Sequence, residues 1–222
     1  MKLIHRLRNS RLRAVARRHS FRAMSDRAAE FAARSVLFCL PGGEAVAVRP
    51  IRPDDAGRLQ QHFRGLSEQS RHNRFLGAVN ELTPREIARL ARMDQPGELA
   101  LVASAADGSG DALVAEAVHV IAPGSMRCEF ALSVTDTWQR LGLGALLLRL
   151  IECRARLLGA RYLFGDVLAT NTAMKCLARR RGFLLRTPVT DARLIEIVKD
   201  LALPQTGAPC DERFAQLRPI AA

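Results

Sequence analysis

The sequence predicts a mixed α/β domain of the α+β kind, with a mostly antiparallel sheet flanked by helices. Three observations predict it. Short runs of alternating apolar and polar residues follow one another with turn formers between them. A Gly-x-Gly turn then leads into a long amphipathic helix, and a strand, a helix and two closing strands come after it.

Each element has a local reason. Ala45-Val46-Ala47-Val48-Arg49 alternates as a strand. Pro53-Asp54-Asp55 opens a helix, because proline suits the first helical position and acids there face the positive end of the dipole. Helical spacing continues through Phe63 and Leu66, and a second helical stretch runs from Ser67 to Phe75. Thr83-Pro84-Arg85-Glu86 is a helix cap leading into Ile87, Leu90 and Ala91. The period then changes to two. Residues 99–103 and 113–120 read as a hairpin across Asp107-Gly108-Ser109-Gly110-Asp111, and 127–134 adds a third strand after Pro123-Gly124-Ser125. On that strand, alternation puts Cys128, Phe130, Leu132 and Val134 on one face and Glu129, Ala131 and Ser133 on the other. After Gly144 the apolar positions 143, 146, 147, 150 and 157 keep helical spacing until Gly159 ends the run. Residues 162–168 read as a strand, Asn171 begins a helix that Gly182 ends, and 183–185 and 194–198 are closing strands.

With 222 residues, 48% of them hydrophobic, the chain is long enough for one compact domain with a real core. Pro41-Gly42-Gly43 reads as a linker. The expected division is a basic arm and linker over 1–43, a domain over 44–202, and a loosely packed tail over 203–222 that contains Pro204, Gly207, Pro209 and Pro219. The net charge is +12, and residues 1–34 supply +8 of it, with ten Lys or Arg against Asp26 and Glu30. Such an arm could contact nucleic acid or an anionic surface, but a disordered extension or a start of translation near Met24 is the stronger reading. Its arginines break any apolar stretch, so it is not an export signal. Five cysteines without a CxxC pair point to neither a disulfide framework nor a zinc ribbon, so a reducing, cytoplasmic setting and no metal are expected. No apolar run approaches the roughly 18 to 20 residues a membrane span needs.

The chemistry starts at the Gly-x-Gly turn. Gly142 and Gly144 let a ligand approach the backbone, and the free N–H groups at the start of the next helix favour an anion such as a pyrophosphate. A dinucleotide-binding turn is the rival, with Asp166 as ribose ligand. Leu147 stands where its third glycine belongs, and the preceding strand closes an antiparallel meander, so the rival fits poorly.

Gln139-Arg140-Leu141-Gly142-Leu143-Gly144-Ala145, followed by Asn171 and by Gly182-Phe183, resembles the two motifs of the GNAT acyltransferases over roughly residues 46–187. The start, Arg49-Pro50-Ile51-Arg52-Pro53-Asp54-Asp55 with Leu66-Ser67, Ser70-Arg71, Arg74-Phe75 and Leu82-Thr83-Pro84, is similar to bacterial Pat-type protein lysine acetyltransferases. The resemblance implies a splayed sheet and acetyl-CoA as cosubstrate. It implies that Gln139, Arg140, Leu141, Gly142, Leu143, Gly144, Ala145 and Asn171 bind the cofactor. Leu132, Ser133 and Val134 would pair their backbone with its pantetheine arm, and Glu129 would be the catalytic base. A backbone N–H near Ser133 or Val134 would stabilise the oxyanion. The expected reaction is direct acetyl transfer to a primary amine, with a protein lysine as the first candidate. The alternatives are a small amine or amino acid as acceptor, or an acyl-CoA sensor without catalysis. In many members a tyrosine, seven residues after the asparagine, protonates the leaving thiolate; here that position is Ala178. A thiol of pKa around 8.5 leaves readily without such an acid.

Bland readings accompany several of these. Glu129 alone is also a strand carboxylate. Arg179-Arg180-Arg181 complement the helix dipole as readily as they meet a phosphate. Arg71 and Arg74, about one turn apart, are expected on a solvated face. His119 is expected to be an ordinary strand residue, and Cys153 and Cys176 structural thiols.

Overall fold

The computed structural model describes residues 36–93, 97–105, 112–188 and 191–203. Eight strands form one sheet: β1 (Val36–Cys39), β2 (Ala45–Pro50), β3 (Glu98–Ala105), β4 (Leu113–Ile121), β5 (Arg127–Val134), β6 (Tyr162–Leu168), β7 (Leu184–Arg186) and β8 (Leu194–Asp200). Their order across the sheet is β1-β2-β3-β4-β5-β6-β8-β7, and every pairing is antiparallel except β5 with β6. Five helices flank it: α1 (Ala56–Gly65), preceded by a 3-10 turn at Pro53–Asp55, α2 (Glu68–Phe75), α3 (Pro84–Leu90), α4 (Leu143–Leu157) and α5 (Thr172–Arg180).

The helix starts follow the sequence signals. Ser67 Oγ accepts from Ser70 N–H at the head of α2, and Thr83 and Glu86 form a reciprocal capping box at α3. Gly142, with φ of +96°, sits at the N-cap of α4.

Alternate sheet residues feed two cores. Leu99, Leu101, Ala103, Cys128 and Phe130 pack with Leu143, Leu147 and Ile151 of α4. Ala100, Val102 and Val118 pack with Leu59, Phe63, Phe75, Ile87 and Leu90 of α1 to α3. Each such Leu, Val or Phe contributes about 1.5–3 kcal/mol when fully buried. The sheet is thus a middle layer, with β5 between the two helical layers.

Two expectations need correction. Pro41-Gly42-Gly43 is not a linker. Leu40 N–H donates to Glu44 O (2.8 Å) and Gly43 N–H to Leu40 O (2.9 Å), closing a hairpin whose first strand is β1. The sheet therefore reaches back to Val36, before the boundary that composition suggested. The four residues of β1 are too short a run to reveal a period beside a Pro-Gly-Gly break. Secondly, Cys153 is disulfide-bonded, where only thiols were expected, while Cys39, Cys128 and Cys176 are free. The basic arm over 1–34, the loop Asp107 to Asp111 and the tail from Pro204 lie outside the described residues. No helix among the described residues is long and apolar enough to cross a membrane.

Candidate active site

A cleft in the sheet organises the site. β5 and β6 pair in parallel only through Arg127↔Tyr162, Cys128↔Leu163 and Glu129↔Phe164. Beyond that, β5 continues to Val134 while β6 stays paired to β8 as far as Leu168. The main-chain groups of 130–134 and 165–168 that would otherwise bond each other therefore face a gap. At its vertex a Cβ on Gly165 would lie 3.0 Å from Phe130 O, so glycine lets the two backbones meet there before they part. Nothing in the sequence alone singles out Gly165.

Leu132, Ser133 and Val134 lie along the open edge, and β4 holds the other edge of β5 through Ala115↔Val134, Glu116↔Ser133 and Ala117↔Leu132. The faces follow the alternation read from sequence. Cys128, Phe130, Leu132 and Val134 join the α4 core, while Ala131 packs with the α1 to α3 core. Glu129 shares the Ala131 side, is 6% exposed, and stands at the vertex opposite Phe164. Arg127, two residues earlier, lies 4.2 Å over the Phe164 ring and pairs with Glu196 at 2.5 Å. Burial, reinforced by Glu129, pushes the Cys128 thiol far above its usual range, so it is no nucleophile.

The turn between β5 and α4 closes the wide end of the gap. Arg140 (φ +64°) and Gly142 (φ +96°) are both left-handed, a backbone pattern that points successive amides into one concavity. No side chain caps α4, so the first amides of that helix, at Leu143, Gly144 and Ala145, have no intrahelical partner and aim at the same end of the sheet. Leu141 is half-buried against the main core. The Gln139 side chain braces the turn, its Nε2 donating to Val134 O and Ser70 Oγ, both at 3.1 Å. A Cβ on Gly142 would lie 3.1 Å from Pro41 Cδ, so the β1–β2 turn buttresses this segment. Asn171 caps α5, its Oδ1 accepting from Met174 N–H at 3.0 Å. Ala178 is fully buried in the core.

These features fit a thioester cofactor with an anionic pyrophosphate. An open strand edge can pair with an amide-bearing arm, and an uncapped helix start behind two left-handed residues can receive phosphate oxygens. Among the described residues no group of three or more His, Cys, Asp or Glu stands where a metal ion could be held.

The basic residues sort differently from expectation. Arg181, at the end of α5, donates to Glu152 (3.2 and 3.3 Å), which also accepts from Lys199 (2.8 Å), so Glu152 ties α4 to the end of α5 and to β8. Arg74, expected on a solvated face, is 8% exposed and pairs with the fully buried Glu116. Arg71 donates to Leu66 O and Arg64 O. Glu116 was the missed signal, a lone acid within the otherwise apolar run Val114-Ala115-Glu116-Ala117-Val118.

No family model matches the chain. An acetyltransferase of Pseudomonas aeruginosa is 31% identical over 164 residues, covering 74% of this chain and 87% of that protein. The chain belongs to the GNAT acetyltransferases. The fold agrees. The GNAT domain of PAT from S. lividans superposes with a TM-score of 0.68 at 24% identity, over 75% of this chain and 96% of that one. An acetyltransferase from Salmonella typhimurium, solved with its cofactor acetyl-CoA, gives 0.56 at 18% identity over 74% and 97%. A cAMP-binding acyltransferase from Mycobacterium smegmatis gives 0.57 at 21% identity, and the chain spans only 56% of it. By that relationship this GNAT protein is an acetyltransferase.

Proposed function

We propose that the protein transfers the acetyl group of acetyl-CoA to the side-chain amine of a protein lysine, with Glu129 as the base. The observation that carries the reading is the place of Glu129: a largely buried carboxylate at the vertex where β5 and β6 part, beside the open edge of β5. The similarity of the start of the chain to Pat-type lysine acetyltransferases and its likeness in fold to the S. lividans PAT domain support the choice of acceptor. So does charge, because Asp166 follows Phe164 at strand period and shares its face with Glu129, which suits a cationic acceptor.

The bound cofactor supplies an activated acyl group and a thiolate leaving group. In this reading the chain does the rest. The backbone of Leu132, Ser133 and Val134 pairs with the pantetheine arm, which leaves the amide of Val134 to meet developing negative charge. Gln139, Arg140, Leu141, Gly142, Leu143, Gly144 and Ala145 form the phosphate cradle, and Asn171 offers Nδ2, since its Oδ1 is used as a cap. An amine of pKa about 10.4 is mostly protonated at neutral pH, so Glu129 takes its proton before nitrogen attacks. Ala178 leaves the departing thiolate without a phenol, and a thiolate departs without one.

A panel of lysine-containing proteins and peptides against polyamines, free amino acids and small amines tests the acceptor. Turnover per acceptor concentration at least about tenfold higher on protein lysines supports the reading, a gap of about 1.4 kcal/mol in transition-state binding. Preference for a small amine replaces it, and CoA binding with no acceptor turned over leaves a sensor.

A further inference from the structure

Behind the open edge of β5 lies a buried polar chain that holding a cofactor does not by itself require. Ser133 is 6% exposed; its Oγ donates to Glu116 Oε2 (3.0 Å) and lies 2.8 Å from His62 Nε2. Arg74 holds both oxygens of Glu116, Nη2 donating to Oε1 (2.5 Å) and Nε to Oε2 (3.2 Å), with its guanidinium near the Phe75 and Phe63 rings at 5.3 and 6.0 Å. With the Ser133 proton given to Glu116, a neutral His62 ring carries its proton on Nε2 and donates to Ser133 Oγ, while Nδ1 accepts from Thr135 Oγ1 at 3.3 Å. Burial lowers the pKa of His62, against opposing pulls from Glu116 and Leu113 O, which favours a neutral ring. The four side chains come from four elements: α1, α2, β4 and β5.

A buried ion pair is weak evidence for stability, because an apolar set of similar volume serves as well or better; what it fixes is relative position. Here the fixed elements are the strand that faces the cleft and the helices that cover the Glu129 face. A second tie reinforces the first. Asp136, just past β5, accepts from Ser67 N–H (2.9 Å), Ser67 Oγ (2.8 Å) and Ser70 Oγ (2.8 Å). The head of α2 is thus bound to the loop after β5, and its tail, through Arg74 and Glu116, to Ser133.

The geometry points to Ser133 as a positioning residue for acetyl transfer: through Glu116 and Arg74 it locks α2 to the end of β5, so that the acceptor side and the cofactor edge keep one spacing. This rests on the reading of β5 as the cofactor strand. In the full chain, Ser133→Ala lowers kcat about tenfold while the Kd for CoA stays within about threefold, because misplacement costs reaction geometry more than binding. Amide hydrogen exchange over 132–135 and over 68–75 speeds up together, by about tenfold or more. Ser133→Cys, close in size but a weak hydrogen-bonding group, behaves alike, and Ser133→Thr, which keeps the hydroxyl, recovers most of the rate. Wild-type kcat with unchanged exchange over 68–75 in the Ala and Cys variants overturns the proposal, as does a loss of rate matched by a loss of CoA affinity. A wild type that binds CoA yet acetylates no amine counts against the acyltransferase reading instead, and exchange over 68–75 then decides the coupling alone.

Discussion

His119 makes the fold sensitive to acid in a way that can be calculated. It lies on β4, fully buried, with neither ring nitrogen hydrogen-bonded. Burial first, and then the positive charge of Arg154, lower its pKa from 6.5 to about 3. The folded protein therefore holds a neutral ring, while the unfolded chain takes up a proton as pH falls through 6.5. Stability contributed by the neutral ring is complete well above pH 6.5 and is lost between there and about pH 3. At pH 5 the unfolded group is about 97% protonated and the folded one about 1%, which gives a loss of roughly 2 kcal/mol relative to pH 8. His119→Met keeps the volume and removes the titration. Denaturant unfolding of both proteins at pH 8 and pH 5 measures the effect. The stability difference, variant minus wild type, should rise by about 2 kcal/mol on going to pH 5. Parallel stability curves across this range would refute the argument, and with it the burial of an unpartnered ring.

Two further perturbations follow from single geometric facts. Gly142→Ala puts a side chain on a residue with φ of +96° and a Cβ 3.1 Å from Pro41 Cδ; it should cost about 1–2 kcal/mol, lower the Tm by several degrees, and weaken CoA binding in a calorimetric titration. Arg74→Met leaves Glu116 buried without its cation and should cost about 3–5 kcal/mol in denaturant unfolding, whereas Arg74→Met with Glu116→Leu should recover most of that loss, the signature of a buried pair.

Much of the fold was legible because its signals are local. Thr83-Pro84-Arg85-Glu86 caps α3 as expected, and the helices expected to begin at Ser67 and Asn171 do begin there, with those residues as their N-caps. The alternation assigned residues 128–134 of β5 to the right faces, and helical spacing after Gly144 recovered α4. What escaped depends on partners distant in sequence. β1 exists because it pairs with β2 across a turn whose composition reads as a break. Arg74, on α2, looked solvated because its partner, Glu116, is 42 residues away on β4. The same holds for the cleft. The motif resemblance implied a splayed sheet, but the vertex at Glu129 and Phe164, and the need for glycine at 165, follow from a register that only the assembled sheet defines. Residue roles lie further still from the sequence, since periodicity places Glu129 on a face without saying what that face meets.

The central claim, that Glu129 removes the proton from an attacking amine, is tested most directly by kcat for acetyl transfer at saturating acetyl-CoA and acceptor. Wild type and Glu129→Gln should be compared near neutral pH, with CoA affinity measured for both. The account predicts that kcat falls about 10²- to 10⁴-fold in Glu129→Gln while the Kd for CoA changes less than about threefold. A Glu129→Gln protein that transfers acetyl groups as fast as the wild type would contradict it.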